Sequence, residues 1–194
     1  MCADAGAGPL RLPGMTELRL RPVRTNDLAA LSVNARADAD PFNFFGFRAD
    51  NTMERRFAAD GMLSEDGGML AVETTDGRLI GDVSWHAVQH GPTRVCRAFN
   101  IGIALLPAER GRGYGTAAQA ALADHLFRTT LVERIEATTD VENLPEQRAL
   151  EKAGFQREGV LRHAQFRAGA WHDAVQYSRL RHDQPPVAPY SGLR

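Results

Sequence analysis

The 194-residue chain is short of the features that announce several classes of protein. Its two cysteines, Cys2 and Cys96, are too few for a disulfide framework or a cysteine metal set. A reduced, cytoplasmic setting fits, and no metal is expected. No apolar run approaches the ~20 residues that cross a bilayer, and the N-terminus lacks a basic stretch followed by an apolar one, so no membrane partner is expected. Charge of one sign is missing too: 23 Lys and Arg stand against 24 Asp and Glu. The arginines are dispersed, so no basic field recruits nucleic acid. No Gly-Lys-Ser/Thr follows a glycine loop, which excludes a Walker phosphate site.

What the chain does have is 43% hydrophobic residues over a length suited to one domain, enough for a full core. Its organising stretch is Ala98 to Phe127, which reads as strand, glycine loop, helix. The first part is rich in Ile and Leu; the last places Tyr114, Ala117, Ala118, Ala121, Leu122 and Leu126 on one helical stripe. Between them, Gly111, Gly113 and Gly115 permit a backbone that turns its N–H groups inward. The following helix adds the positive end of its dipole, and Arg110 and Arg112 add charge. A diphosphate fits such a cradle. Gly113-x-Gly115-x-x-Ala118 also matches the loose dinucleotide fingerprint, with Glu133 and Glu136 near the ribose-acid offset. That rival needs repeated strand-helix-strand units, whereas the chain continues with one short helix and an antiparallel pair.

Arg110-Gly111-Arg112-Gly113-Tyr114-Gly115-Thr116 resembles the acyl-CoA pyrophosphate loop, Arg/Gln-x-x-Gly-x-Gly/Ala, of the GNAT acyltransferase superfamily. Downstream, Glu142 to Phe155 is similar to the Asn-x-x-Ser-x-Arg-x-Leu-Glu-Lys-x-Gly-Phe segment of the branch that includes the RimJ and RimL ribosomal-protein N-terminal acetyltransferases. Glu158 to Arg162, Gly169 to Asp173 and Tyr177-Ser178 resemble that branch's terminal hairpin. Three motifs in order, from about Met15 to Arg181, are far more specific than any one alone.

In chain order, residues 1–14 are small, Gly/Pro-bearing and aperiodic, an expected disordered leader. The acyltransferase domain is expected over 15–183, with a loose Pro-rich tail at 184–194. Thr25-Asn26-Asp27 supplies N-cap chemistry for a helix to about Ala37. Asp38 to Asp50 holds four phenylalanines in a Pro/Gly/Asn setting, read either as a core plug or as an acceptor-pocket wall. Thr52 to Leu63 is a second amphipathic helix. Asp76-Gly77 marks a hairpin between Met69–Thr75 and the strand that starts at Leu79. The strand Glu133 to Thr139 must run parallel to the central one, because a helix separates them. Pro145 suits the first turn of the next helix and Gly154 its C-cap, before a last hairpin around Ala168-Gly169. This order is an α/β (α+β) fold, with a mixed, mostly antiparallel sheet of about seven strands flanked by four helices. The resemblance implies a GNAT fold, whose central strands splay into a V for the pantetheine arm.

By that resemblance, Ile103, Ala104, Leu105 and Leu106 would bond pantetheine through their backbones, one N–H polarising the thioester carbonyl. The co-substrate is expected to be acetyl-CoA or another acyl-CoA, held further by Arg110, Gly111, Arg112, Gly113, Tyr114, Gly115, Thr116 and Asn143. The alternative for Asn143, set against the favoured ligand role, is to cap its own helix. Direct attack by an amine needs a base and a proton donor for the thiolate. In the resembled branch an acid often stands where this chain has Asn100, and an amide takes no proton. His86, with Asp82 near it, is the base candidate, weighed against an ordinary strand histidine. Glu146 replaces the branch's serine, and an acid in a first helical turn is also what the dipole favours. Tyr177, His172 and Asp173 are further pocket candidates.

These readings imply an N-acyltransferase acting on a primary amine of a peptide N-terminus, an amino acid or a small metabolite. An acyl-carrier-protein thioester as donor, or an inactive acyl-CoA-binding module, are the alternatives. Relatives of this branch are often dimers, so a homodimer is expected.

Overall fold

The computed structural model describes residues 18–33, 42 and 51–183; the expected leader, most of the Phe-rich loop and the tail lie outside the described residues. Strand β1 (Leu18–Pro22) leads through a 3-10 turn (Thr25–Asp27) into α1 (Leu28–Ser32), whose Leu28 and Leu31 are buried. Arg21 secures this entry by donating to both Asp27, at 2.6 Å, and Glu73, at 2.5 Å. Helix α2 (Thr52–Asp60) stops three residues short of the Leu63 expected from sequence. The left-handed Gly61 (φ 64°) ends it, the buried Met62 turns inward, and Leu63 starts the two-residue β2 (Leu63–Ser64).

Next come the hairpin β3 (Gly67–Thr74) and β4 (Leu79–Gln89), then β5 (Arg97–Leu105), α3 (Tyr114–Thr129) and β6 (Arg134–Asp140). The chain ends in α4 (Leu144–Lys152) and the long hairpin β7 (Gln156–Arg167) and β8 (Ala170–Leu180). The sheet order is β1-β3-β4-β5-β6-β8-β7, with β2 paired to β3. Every pairing is antiparallel except β5 with β6, as a helical crossover demands.

Each face of the sheet has its own core. The larger one packs α3, through Tyr114, Ala117, Ala118 and Leu122, and α4, through Leu150, against Val83, Phe99 and Ile135. A smaller one lies on the α1 and α2 side, where Leu28, Leu31 and Met62 meet Met69 and Ala71. Alternation along β4 follows from this. Val83 joins the larger core, while Asp82, Ser84 and His86 project to the other face.

Candidate active site

The site begins as a defect in pairing. Strand β5 is bonded to β4 over nine residues, from Arg97↔Gln89 to Leu105↔Gly81, but meets β6 only at Phe99↔Ile135, Asn100↔Glu136 and Ile101↔Ala137. Beyond Ile101 the two parallel strands diverge, so one edge of β5 is left open. The Leu106 N–H donates to Ile80 O at 3.0 Å, toward β4. Because ladder bonds alternate, Ala104 and Gly102 point their backbone groups the same way, while Ile103 and Leu105 point theirs into the splay. This corrects the expectation for Ala104 and Leu106: Ala104 faces β4, the Leu106 N–H is taken by Ile80 O, and the Leu106 carbonyl accepts from Glu109 N at 2.8 Å.

The splay widens into a cleft of about 650 Å³ lined by Ile103, Leu105, the glycine loop and α4. Gly111 (φ 73°) and Gly113 (φ 81°) both adopt the left-handed backbone, and Gly113 is the N-cap of the 16-residue α3. A Cβ on Gly111 would meet nothing within 4 Å, so the loop stands clear of the protein. Arg110, Gly111, Gly113, Gly115 and Thr116 line the cleft. The Arg110 Nε donates to Leu105 O at 3.0 Å, which ties the loop to the strand end. Two loop side chains are placed elsewhere. Tyr114 is buried in the larger core, and Arg112 lies against Glu109 at 3.3 Å, outside the lining.

Across the cleft, α4 presents Glu146, Arg148 and Lys152. Sequence reasoning missed the two cations. They sit four residues apart, so one helical face carries both, but which face meets the cleft was not legible. Asn143 lines the cleft and also caps α4, its Oδ1 accepting from Glu146 N at 3.4 Å and its Nδ2 donating to Thr139 at 3.1 Å. A helix face bearing Arg148 and Lys152 and a glycine-rich helix N-terminus that line one cleft can hold an anionic, extended ligand. The residues therefore fit an acyl-CoA.

A second cavity of about 390 Å³ adjoins the first and shares Phe42, Ile101, Gly102, Thr138, Thr139 and Asn143 with it. Ser84, His86, Asn100, Asp140 and Gln165 complete its polar wall. His86 is exposed and stands cross-strand from Asn100. Asp140 is buried and bonded to the Arg167 guanidinium, with His172 Nδ1 at 3.5 Å. Asp82, two residues before Ser84, lines neither cavity; its burial pushes the carboxyl up to about 7, Arg56 opposing. Tyr177 is a correction. Its side chain is fully buried and lines neither cavity, and its hydroxyl donates to Glu151 at 3.2 Å. Burial first, then the nearby Glu151, raises its pKa, the wrong direction for a proton donor. Asp173 likewise lies outside both linings, accepting from His163 N at 2.8 Å.

A family model for the acetyltransferase (GNAT) domain matches residues 17–156. The probable N-acetyltransferase YjcK of Bacillus subtilis is 39% identical over 99 residues, 51% of this chain and 53% of that protein. The matched stretch thus spans about half the length of such curated relatives. The structure of Mycobacterium smegmatis RimJ in complex with CoA-disulfide is 31% identical, with TM-score 0.73 over 92% of this chain and 90% of that one. The spermidine N-acetyltransferase of Vibrio cholerae, solved with CoA and spermine, shares the fold at TM-score 0.74 and 21% identity, over 86% of this chain and 96% of that one.

Proposed function

The chain belongs to the acetyltransferase (GNAT) domain family, and from that premise we propose that it moves an acyl group, acetyl in the simplest case, from a CoA thioester to a primary amine by direct attack. The observation that carries the reading is the three-residue β5–β6 ladder, which opens into a cleft ending at the glycine loop. Ile103 and Leu105 would bind the pantetheine arm along the open edge of β5, and an N–H there would stabilise the developing oxyanion. Removing one such donor typically costs ~10²–10³ in rate. Gly111, Gly113, Gly115 and Thr116 would receive the diphosphate at the start of α3, with Arg110, Arg148 and Lys152 supplying charge. When bound, CoA supplies the activated carbonyl and the thiolate leaving group.

The amine would enter through the smaller cavity, where His86 would take its proton directly or through a water. Glu146 is read as a helix-terminus acid rather than as the proton donor. Among the described lining residues, the one carboxylate of the smaller cavity, Asp140, is already paired with Arg167. That supports an acceptor bearing a single amine, such as a peptide N-terminus, over a polycation. Exposed Val160, Leu161, Phe166 and Trp171 on the last hairpin, with the two rings 5.5 Å apart, support a homodimer through that hairpin. Light scattering showing a monomer across micromolar concentrations would remove that part.

The test is a screen of acetyl-CoA against spermidine, free-N-terminal peptides, amino acids and aromatic amines, with thiol release and product mass recorded. Acetylated peptide with matching thiol release is expected. Tight CoA binding without transfer to any amine would indicate an acyl-CoA-binding module. Transfer only from a carrier-protein thioester would move the donor assignment.

A further inference from the structure

The floor of the smaller cavity is tied to neighbouring strands by a run of side-chain hydrogen bonds that crosses β5, β6 and β8 along one face of the sheet. Asn100 Nδ2 lies 3.3 Å from Thr138 Oγ1, Thr138 Oγ1 lies 2.8 Å from Gln176 Oε1, and Gln176 Nε2 lies 3.1 Å from Glu136 Oε2. Glu136 is 4% exposed and also receives Arg134 Nε and His90 Nε2, each at 2.5 Å. We propose that Asn100 binds the acceptor amine through its side-chain carbonyl, and that Glu136, acting through Gln176 and Thr138, fixes that carbonyl toward the cavity. The proposal rests on the amine-acceptor reading above.

The direction of each bond follows from the one before it. A carboxylate already facing Arg134 is an acceptor, so Gln176 must turn its NH₂ to Glu136. Its Oε1 therefore faces Thr138. Thr138 has one proton and spends it there, leaving only lone pairs toward Asn100. Asn100 must then offer its NH₂, because its carbonyl would meet another lone pair. The carbonyl end is left to the cavity, which both Asn100 and Thr138 line. Among the described residues this oxygen accepts no hydrogen bond.

Such a group cannot deprotonate an amine, but it can hold one N–H and so aim the nitrogen lone pair. Asn100 is thus a substrate-binding residue, cross-strand from His86. Thr138, Gln176 and Glu136 are positioning residues whose hydrogen bonds orient it. Without Thr138 the Asn100 amide is free to rotate and present either end.

The polarity is tested by calorimetric titration of amines into the protein saturated with CoA, using spermidine, an alanine-initiated tetrapeptide and tryptamine in turn. Wild type, Asn100→Leu, Thr138→Val and the double variant are compared, with CoA affinity as the control for folding. Asn100→Leu should weaken the best-bound amine about tenfold, as expected for one hydrogen bond to a charged group, and Thr138→Val by several-fold. The double variant should be no weaker than Asn100→Leu alone, since the Thr138 hydroxyl, although it lines the cavity, is committed to Gln176 and Asn100. Unchanged amine affinity in Asn100→Leu, or additive losses in the double variant, would overturn the proposal, as would no binding of any of the three amines to wild type. Amine binding with the predicted non-additivity but no acyl transfer would sustain it while removing the transferase reading.

Discussion

Replacing Asp82 by Asn should change how stability depends on pH more than stability at any one pH. Asp82 lies between Ala71 of β3 and Ala104 of β5 and is 6% exposed. Burial pushes its carboxyl up to about 7, with Arg56 offsetting part of the effect. In the unfolded chain the group titrates near ~3.9. The folded value is the higher one, so the folded state holds its proton more tightly. Stability from this group is therefore fully present below about pH 4, falls as pH rises toward about 7, and levels off beyond it. About 3 units at ~1.4 kcal/mol each give a total of ~4 kcal/mol, of which roughly 2.5 kcal/mol falls between about pH 5 and pH 8. Against the ~5–15 kcal/mol stability of a typical domain that is readily measured. The buried amide of the variant carries its own cost of ~1–3 kcal/mol, but the same cost at every pH. The decisive quantity is thus the wild-type minus variant difference across pH, which cancels the other titrating groups. Urea unfolding of both proteins from about pH 5 to pH 8 measures it. The variant should gain relative to wild type by roughly 2.5 kcal/mol over that range, and a difference flat with pH would refute a desolvated Asp82.

The other expectations concern the cleft. Gly113→Val should abolish CoA binding while leaving the fold largely intact, since a branched residue at φ 81° is strained and crowds the phosphate path; undiminished affinity in a calorimetric titration would place the phosphates elsewhere. Arg148→Ala and Lys152→Ala should each raise the Kd for CoA about tenfold and flatten its dependence on salt; salt curves that superimpose on wild type would show that these cations face solvent only. Glu146→Gln should reduce turnover by less than ~10-fold, below the ~10²–10⁴-fold of general acid catalysis. A loss beyond ~100-fold with unchanged CoA affinity, together with a lost basic limb in the pH–rate profile, would assign Glu146 the proton-donor role.

Much of this protein is local chemistry, and local chemistry is written in sequence. Strand, glycine loop and helix from Ala98 onward, the Asp76-Gly77 hairpin, Pro145 in the first turn of α4 and the parallel course of β6 all follow from spacing, turn residues and crossover length. The cleft itself was expected only from the resemblance to the family. What spacing could not supply was orientation across strands. Whether Ile103 or Ala104 opens to the cleft depends on which neighbour takes the alternate backbone bonds, and the Leu106 to Ile80 bond decided it. Tyr177 and Glu146 both read as pocket residues, yet packing put one beneath α4 and the other on the cleft wall. The cations Arg148 and Lys152 came to the cleft through the rotation of α4, set by burial of Leu150 on its opposite side. The run from Asn100 to Glu136 joins residues up to 40 positions apart, so only the register of β5, β6 and β8 brings them within hydrogen-bond distance. Sequence determined the elements and the loop because their causes act over a few residues; tertiary structure decided which side chains meet, because strand register and helix rotation are properties of the packed whole.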